Sequence, residues 1–490
     1  MKAELRPKME TIEVTLKIDD KEVQAKEGAT ILEAARKVGI GIPTLCYKSA
    51  LSPFGACRLC SVEITDKRGK KKIVTSCNYP VEEGLVVSTQ SEKVLKTRKL
   101  LLELLLARCP KVKKIQDLAQ EYDVQKSRFW IEDAEEDCVL CGLCTRVCEE
   151  LIGVYGINFA KRGVEREVTT PYHRFSDDCI GCGACAIVCP TKSKRTQVNT
   201  YPTLPEDIER IEQQFLKGAK DENLGVYSEM FSAKSSIDGQ DGGVASAVLI
   251  SGMQRGLFDT AIVVQRTDGY NAEAVIAENT DEIMKARGTK YLRIKMMSKL
   301  GELIEKGKRK IAIVGTACEV RAARKIQQIM LHDFPNLELT IIGLFCFEAF
   351  DYEKLKAETQ RLLGVNLDNA EKTQIHKGKY IVRVEGKEYS CSVRDLSKAV
   401  EKGCVYCDDF TAKLADVSIG SVGSDDGYST VIVRSDIGKR LLEKLDVVKG
   451  DVNKEEITKL AILKKNRAKK NFAPLLEDVR VQPPPQLQQR

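Results

Sequence analysis

Two cysteine-rich stretches, CVLCGLCTRVC (138–148) and CIGCGACAIVCP (179–190), decide the fold of the middle of the chain. In each stretch three cysteines follow one another every third residue and a fourth comes four residues later, which is the spacing of [4Fe–4S] ligands. Such a loop presents three thiolates to one cluster, and where two runs occur the fourth cysteine crosses to the other cluster. We therefore predict one cluster on Cys138, Cys141, Cys144 and Cys189, and another on Cys148, Cys179, Cys182 and Cys185. The spacing alone does not establish which cluster each of the two fourth cysteines, Cys148 and Cys189, binds. Zinc is the alternative metal, although zinc sites favour CxxC pairs or Cys/His mixtures.

A third constellation, Cys46-x10-Cys57-x2-Cys60-x16-Cys77, lies nearer the N-terminus. Residues 11–18 alternate apolar and polar side chains, as a half-buried strand does. Thr30 and Glu33 form a capping box that predicts a helix from residue 31. Two further strand-like runs at 61–65 and 72–75 complete a small α+β unit, and an amphipathic helix over about 91–108 follows.

The stretches CYKSALSPFGACRLCSVEI (46–64) and SCNYPV (76–81) resemble the N-terminal [2Fe–2S] domain of the complex I large-subunit family, which also begins several formate dehydrogenases and iron-only hydrogenases. The resemblance covers about residues 10–200. It implies a β-grasp domain with one [2Fe–2S] cluster on Cys46, Cys57, Cys60 and Cys77, followed by a two-[4Fe–4S] ferredoxin domain. Relatives often carry a further His/Cys3 cluster between these parts. Here that segment keeps only Cys109, so we expect that cluster to be absent.

The second half of the chain has the alternating strand and helix pattern of an α/β domain. The strand candidates are 260–264, 310–314, 337–344, 381–384 and 430–433, and the helix candidates are 243–254, 296–306 and 319–330. Cys318 and Cys346 end strand patterns, where α/β sheets gather functional groups. Cys404 and Cys407 form a CxxC pair, which by spacing alone is redox-active, zinc-binding or structural. Core packing is the alternative for the lone cysteines.

Several segments of this half resemble the beta subunit of coenzyme F₄₂₀-reducing hydrogenases and related dehydrogenases, over about residues 225–475. They are DGGVASAVL (241–249), GTKY (288–291), TACEVRAARKIQ (316–327), GLFCFEAF (343–350), GCVYCDDF (403–410) and LADVSIGSVGSDDGYSTVIVR (414–434). The resemblance implies FAD, hydride exchange with the deazaflavin coenzyme F₄₂₀, and a further [4Fe–4S] cluster. The cluster positions fall on Cys318, Cys346, Cys404 and Cys407. Cys109 and Cys391 are then left over as packing residues.

No GxGxxG motif follows a strand in this half, so the resemblance places the flavin on three other loops. In the first, Asp241-Gly242-Gly243 opens a helix whose backbone N–H groups suit a pyrophosphate. Ser246 stands where relatives usually have threonine. The candidate flavin contacts are Gly242, Gly243, Val244, Ser246, Gly288, Thr289, Lys290, Tyr291, Gly420, Ser421, Val422, Gly423 and Ser429. Lys290 and Arg293 are candidates for the anionic tail of F₄₂₀. Each glycine loop, taken singly, also suits an ordinary turn.

The predicted domains are a [2Fe–2S] unit (10–110), a two-[4Fe–4S] unit (111–200), a linker (201–224), an FAD and [4Fe–4S] oxidoreductase domain (225–450), and a helix with a disordered tail (451–490). The basic runs 67–72 and 464–470 are predicted to be solvated surface. A net charge of +7 and 6% aromatic residues do not favour nucleic-acid binding. His173, His332 and His376 match no ligand spacing and are read as structural. No signal peptide or membrane segment is evident, which predicts a cytoplasmic protein.

The resemblances together imply an oxidoreductase. Electrons would pass from a hydrogenase, formate dehydrogenase or carbon monoxide dehydrogenase partner, or from ferredoxin, through one [2Fe–2S] and three [4Fe–4S] clusters to FAD, and then as hydride to F₄₂₀. An anaerobic, methanogen-like archaeal source is also implied. Three alternatives stay open: another acceptor, a non-catalytic relay subunit, and an F₄₂₀H₂-oxidising input module of a respiratory complex.

Overall fold

A computed structural model describes residues 13–173, 176, 178–197 and 204–476. The predicted C-terminal tail lies outside the described residues. Within the described part of the chain, no helix is both long enough and apolar enough to span a bilayer.

The N-terminal unit is a five-stranded sheet covered by one helix. Its elements are β1 (Glu13–Ile18), β2 (Lys21–Lys26), α1 (Ile31–Lys37), β3 (Ser61–Thr65), β4 (Lys71–Thr75) and β5 (Val86–Ser88). The strand order is β2-β1-β5-β3-β4, with β1 and β5 parallel at the centre. Thr30 Oγ1 accepts from the Glu33 amide at 3.2 Å and Glu33 accepts from the Thr30 amide at 2.8 Å, which is the predicted capping box. This sheet order, with a helix across it, is the predicted β-grasp arrangement.

The middle of the chain is built from short elements around cysteine loops. They are α2 (Glu92–Arg108), α3 (Lys113–Glu121), α4 (Leu143–Arg146), β6 (Asn158–Ala160), β7 (Glu167–Thr169) and α5 (Ala184–Ile187). The bounds of α2 agree with the predicted helix, and Ser91 caps it by accepting from the Val94 amide at 3.3 Å. A π-helical turn, Val147–Ile152, follows α4 and carries Cys148. Turns of this kind often mark functional positions.

The C-terminal half forms a mixed α/β sheet with helices on both faces. Its first elements are α6 (Pro205–Phe215), β8 (Ala219–Asp221), β9 (Gly225–Tyr227), β10 (Glu229–Ser235), α7 (Val244–Gln254), β11 (Thr260–Arg266), β12 (Ala272–Ala277), α8 (Thr280–Lys285), α9 (Met297–Glu305), β13 (Lys310–Thr316), α10 (Ala317–Met330) and β14 (Glu338–Leu344). The remaining elements are α11 (Tyr352–Leu363), β15 (Lys372–His376), β16 (Lys379–Val384), β17 (Lys387–Ser392), β18 (Val417–Gly420), β19 (Ser429–Val433), α12 (Asp436–Leu442), β20 (Val447–Gly450) and α13 (Lys454–Leu476).

Eight of these strands form one sheet in the order β12-β11-β13-β14-β18-β19-β10-β20. Its centre, from β11 to β18, is parallel. The carboxyl ends of parallel strands are where α/β sheets place functional groups. Cys318 and Cys346 follow β13 and β14 directly, so both lie at this edge.

The structure differs from the sequence-based expectations in three places. The predicted linker, 201–224, contains α6, whose Ile211 and the following Leu216 are buried in the core of the large sheet. The candidate strand 381–384 is real but belongs to a separate three-stranded sheet, β15-β16-β17. The run 464–470 is not solvated throughout, because Lys464 is buried. The apolar residues near it on α13 are buried in the core, so one face of the helix is buried with them.

Candidate functional site

The four N-terminal cysteines come together beside the first sheet. Cys46, Cys57 and Cys60 lie on the segment between α1 and β3, and Cys77 follows β4; all four are buried. The backbone amide of Cys57 donates to Cys46 Sγ at 3.5 Å. A hydrogen bond from the Cys57 thiol lowers the pKa of Cys46 to about 6, against the opposing effect of burial. Cys60 and Cys77 form a second hydrogen-bonded thiol pair.

The two cysteine runs of the middle unit interlock. Cys138, Cys141, Cys144 and Cys189 line one cavity. Cys189 therefore reaches the first run, although it follows the second in sequence. In return, Cys148 lies close enough to Cys179, Cys182 and Cys185 to interact with them electrostatically. The structure thus groups these eight residues as the exchanged-ligand prediction does, and their role as ligands remains a prediction.

The C-terminal cysteines also meet, although they come from three separate segments. Cys318 lies in the first turn of α10, and Cys346 follows β14. Cys404 lies within the 3₁₀ turn Lys402–Tyr406, and Cys407 caps its C-terminal end. Burial raises the pKa of Cys318, Cys346 and Cys404 to about 12. Such thiols stay protonated unless a metal centre removes the proton on binding.

No group of three or more His, Cys, Asp or Glu side chains within the described residues has the geometry of a site for a single metal ion.

Cysteines from all four groups share one continuous apolar core. The cysteines in or against this core are Cys46, Cys57, Cys109, Cys141, Cys148, Cys182 and Cys318. Cys109 is fully buried there but belongs to no group, and burial raises its pKa to about 12. Cys391 lies on β17, away from this core. Cys391 thus stands apart from the four groups, whereas Cys109, in the shared core, lies near Cys138.

Polar contacts fix the units around this core to one another. Arg146 donates to the carbonyl oxygens of Cys46 at 2.6 Å, Gly142 at 3.2 Å and Ser52. It therefore joins the first cysteine loop to the second. Farther along, Arg293 donates to the carbonyl oxygen of Asp178 at 2.9 Å, which joins the large domain to the loop before Cys179.

Helix α13 covers the C-terminal cysteine group, and the sequence reading missed this. Lys464 Nζ donates to the carbonyl oxygen of Cys346 at 2.5 Å, and Arg467 donates to that of Cys404 at 3.1 Å. Burial disfavours the ammonium of Lys464, but the negative charge that Cys407 and Cys346 carry as thiolates outweighs that effect and raises its pKa. The available signal was the apolar stripe Ile457, Ala461, Ala468 and Leu475, because Lys464 falls on it at helical spacing.

The three predicted flavin loops also come together. The amide of Gly242 donates to Ser429 Oγ at 3.1 Å, which joins the first loop to the third. Gln240 accepts from the Thr289 amide at 3.2 Å and donates to the Tyr291 hydroxyl at 3.1 Å, which joins the first to the second. The meeting point is the N-terminus of the eleven-residue helix α7, a position that suits a phosphate group.

Several candidate contacts have other partners here. Lys290 Nζ donates to the carbonyl oxygens of Val264, Ala286 and Arg287, and burial lowers its pKa to about 8. Arg293 donates to the Asp178 carbonyl oxygen, and the role of Lys290 and Arg293 toward the F₄₂₀ tail remains a prediction. Gly420 is needed for packing, because a Cβ there would lie 2.2 Å from the Phe345 ring.

Other candidate residues, in the third loop and among the histidines, also have contacts within the protein. A Cβ on Gly423 would lie 2.7 Å from Ile457 of α13. Val244 is buried, and the carbonyl oxygen of Val422 accepts from Thr430 Oγ1 at 2.8 Å. The flavin roles of Val244, Ser246, Gly288, Ser421 and Val422 remain predictions. His173 and His376 face Glu167 and Asp426 at 3.4 and 3.7 Å, and His332 pairs with Asp333 on the surface.

Comparison with known proteins gives matches to four family models. The domain of the coenzyme F₄₂₀ hydrogenase/dehydrogenase beta subunit matches in two parts, the N-terminal part at 230–301 and the C-terminal part at 308–462. A 2Fe-2S iron-sulfur cluster binding domain matches 11–92, and a 4Fe-4S dicluster domain matches 137–193. The coenzyme F₄₂₀ hydrogenase subunit beta of Methanococcus voltae is 36% identical over 45% of this chain and 82% of its own length.

This chain belongs to the coenzyme F₄₂₀ hydrogenase/dehydrogenase beta-subunit family. Another similar protein, the coenzyme F₄₂₀-dependent sulfite reductase of Methanocaldococcus jannaschii, is 35% identical over 46% of this chain, which spans only 37% of that enzyme. A subunit in the structure of the F₄₂₀-reducing [NiFe] hydrogenase complex from Methanosarcina barkeri superposes with a TM-score of 0.50 and 31% identity, over 52% of this chain and 94% of that subunit. With its ferredoxin-type domains, this family member is an iron–sulfur electron-transfer protein.

Proposed function

We propose that this chain transfers electrons between a partner oxidoreductase, or a ferredoxin, and coenzyme F₄₂₀. The observation that carries the proposal is the apolar core in which cysteines of all four groups meet. Cys46 lies near Cys141, and Cys144 lies near Cys185. We infer that electrons pass from the Cys46 group through the Cys141 and Cys182 groups to the Cys318 group. The family assignment supports F₄₂₀ as the terminal substrate.

Sixteen cysteines would hold one [2Fe–2S] and three [4Fe–4S] clusters, and the loops around Gly242, Tyr291 and Ser429 would hold FAD. When bound, the clusters supply one-electron exchange, and the flavin links it to hydride chemistry. The protein's task is to bury and position these groups. Arg146 and Arg293 hold the cysteine loops of neighbouring units together. The first group and the run 138–144 are buried from water, whereas the remaining ligand cysteines are partly buried.

The test uses full-length protein purified without oxygen. We expect about fourteen iron atoms and one FAD per chain, and bleaching of oxidised F₄₂₀ when a low-potential donor is supplied. About ten iron atoms with flavin present would remove the Cys318 group as a cluster site. Full iron without any F₄₂₀ response in either direction, but with turnover of viologen or a nicotinamide, would replace F₄₂₀ by another acceptor.

A further inference from the structure

Helix α13 places a buried cation against the C-terminal cysteine group. Lys464 is 1% exposed, and its ammonium donates to the carbonyl oxygen of Cys346. The same face of the helix supplies Arg467, which bonds the Cys404 carbonyl, and Asn471, which bonds the Val405 carbonyl at 2.9 Å. Phe472 closes the contact edge-on to Tyr406 at 5.2 Å. The position of Lys464 is therefore fixed by several neighbours on its own helix.

A buried ammonium is unfavourable unless negative charge balances it. Arg321, another cation beside this group, has such a partner in Asp408 at 2.8 Å. The groups that face Lys464 are the thiols of Cys407, Cys346 and Cys404 and the carboxylate of Asp409. Asp409 is shared, because it also faces Arg321 and Arg434. What remains to balance Lys464 is the thiolate set itself.

We infer that Lys464 is a positioning residue that raises the reduction potential of the [4Fe–4S] cluster on Cys318, Cys346, Cys404 and Cys407. The inference rests on the proposed function in that it requires a cluster on these cysteines. Reduction adds one negative charge to the cluster, and a fixed cation in a low-dielectric core stabilises that added charge. The higher potential then favours electron transfer from the N-terminal groups to this cluster, which lies on the way to the flavin. Lys464 lies beyond the family-model match, which ends at residue 462.

The test is an EPR-monitored redox titration of the full-length, cluster-loaded protein. The signal that disappears in a Cys404→Ser variant first identifies the C-terminal cluster. In Lys464→Met we expect the ratio of reduced to oxidised cluster, measured at a fixed potential near the wild-type midpoint, to fall about tenfold, equivalent to a midpoint about 59 mV lower. Lys464→Gln keeps a hydrogen-bond donor toward Cys346 without the charge, so the same downward shift there separates charge from packing.

The matched control is Lys469→Met, which removes the same charge from an exposed position of α13. It should leave the midpoint unchanged, because solvent screens an exposed charge. Wild-type midpoints in both Lys464 variants would overturn the inference. If no EPR signal disappears in Cys404→Ser, the cluster assignment itself fails, which is a different result from an unshifted midpoint.

Discussion

At the scale of single residues, Arg146 is the contact that ties the first cysteine loop to the second. Its guanidinium donates hydrogen bonds to three carbonyl oxygens and lies 5.3 Å from the centroid of the Phe54 ring. Replacing it with methionine would leave those carbonyl groups without their donor in a buried place. We expect Arg146→Met to lower the free energy of unfolding by about 2–4 kcal/mol, and to slow electron transfer between the two units. Urea unfolding without oxygen, followed by ellipticity, measures the loss.

Arg166 is the matched control for this prediction. Its guanidinium also lies over a phenylalanine, 3.9 Å from the Phe159 ring, but the side chain is exposed. Arg166→Met should change stability by no more than about 0.5 kcal/mol. Equal losses in the two variants would show that the carbonyl contacts of Arg146 contribute nothing beyond the ring contact.

At the scale of elements, the N-terminus of α7 carries the flavin proposal. A Cβ on Gly242 would lie 2.4 Å from the carbonyl oxygen of Ala233 and 2.8 Å from the amide nitrogen of Ser429. Both are backbone atoms, so the loop would have to shift. We expect Gly242→Ala to lose most of its FAD while the iron content stays near that of the wild type. Flavin released by acid, measured against iron in the same sample, gives the ratio.

Gly301→Ala in α9 provides the comparison, because no atom lies within 4 Å of a Cβ at that position. Alanine favours a helix interior by about 1 kcal/mol over glycine. This variant should keep its full flavin content and unfold at a slightly higher urea concentration. A Gly242→Ala protein with wild-type flavin would move the FAD site away from this loop.

Local signals predicted the elements well where sequence and surroundings agree. The capping box at Thr30 and the alternation in β1 need only near neighbours, and both were predictable. The segment that forms α6 was assigned to a linker, because its burial depends on α10 and the large sheet, which lie far away in sequence. The grouping of Cys318, Cys346 and the CxxC pair followed from family resemblance rather than from spacing. The sequence did not predict the burial of Lys464, because a run of basic residues usually lies on the solvated surface. Its burial depends on the contact between the apolar stripe of α13 and the core, which the sequence does not show.

At the scale of the whole molecule, electron transfer between the flavin loops and the N-terminal [2Fe–2S] unit should depend on the Cys318 group. Cys318 packs against the same core as Cys148 and Cys182, and the flavin loops lie on the domain that contains it. Electrons given to the flavin by reduced F₄₂₀ should therefore reach the N-terminal [2Fe–2S] cluster only through this group.

In Cys318→Ser we expect about four fewer iron atoms, since a [4Fe–4S] cluster would be lost. Reduced F₄₂₀ should still bleach the flavin, while the EPR signal of the [2Fe–2S] cluster fails to appear on rapid freezing. Cys109→Ala is the matched control, because Cys109 is buried in the same core but belongs to no cysteine group. It should keep its iron and its [2Fe–2S] signal. If the signal appears equally fast in Cys318→Ser, electrons bypass the C-terminal group, and the order of transfer inferred from the shared core is wrong.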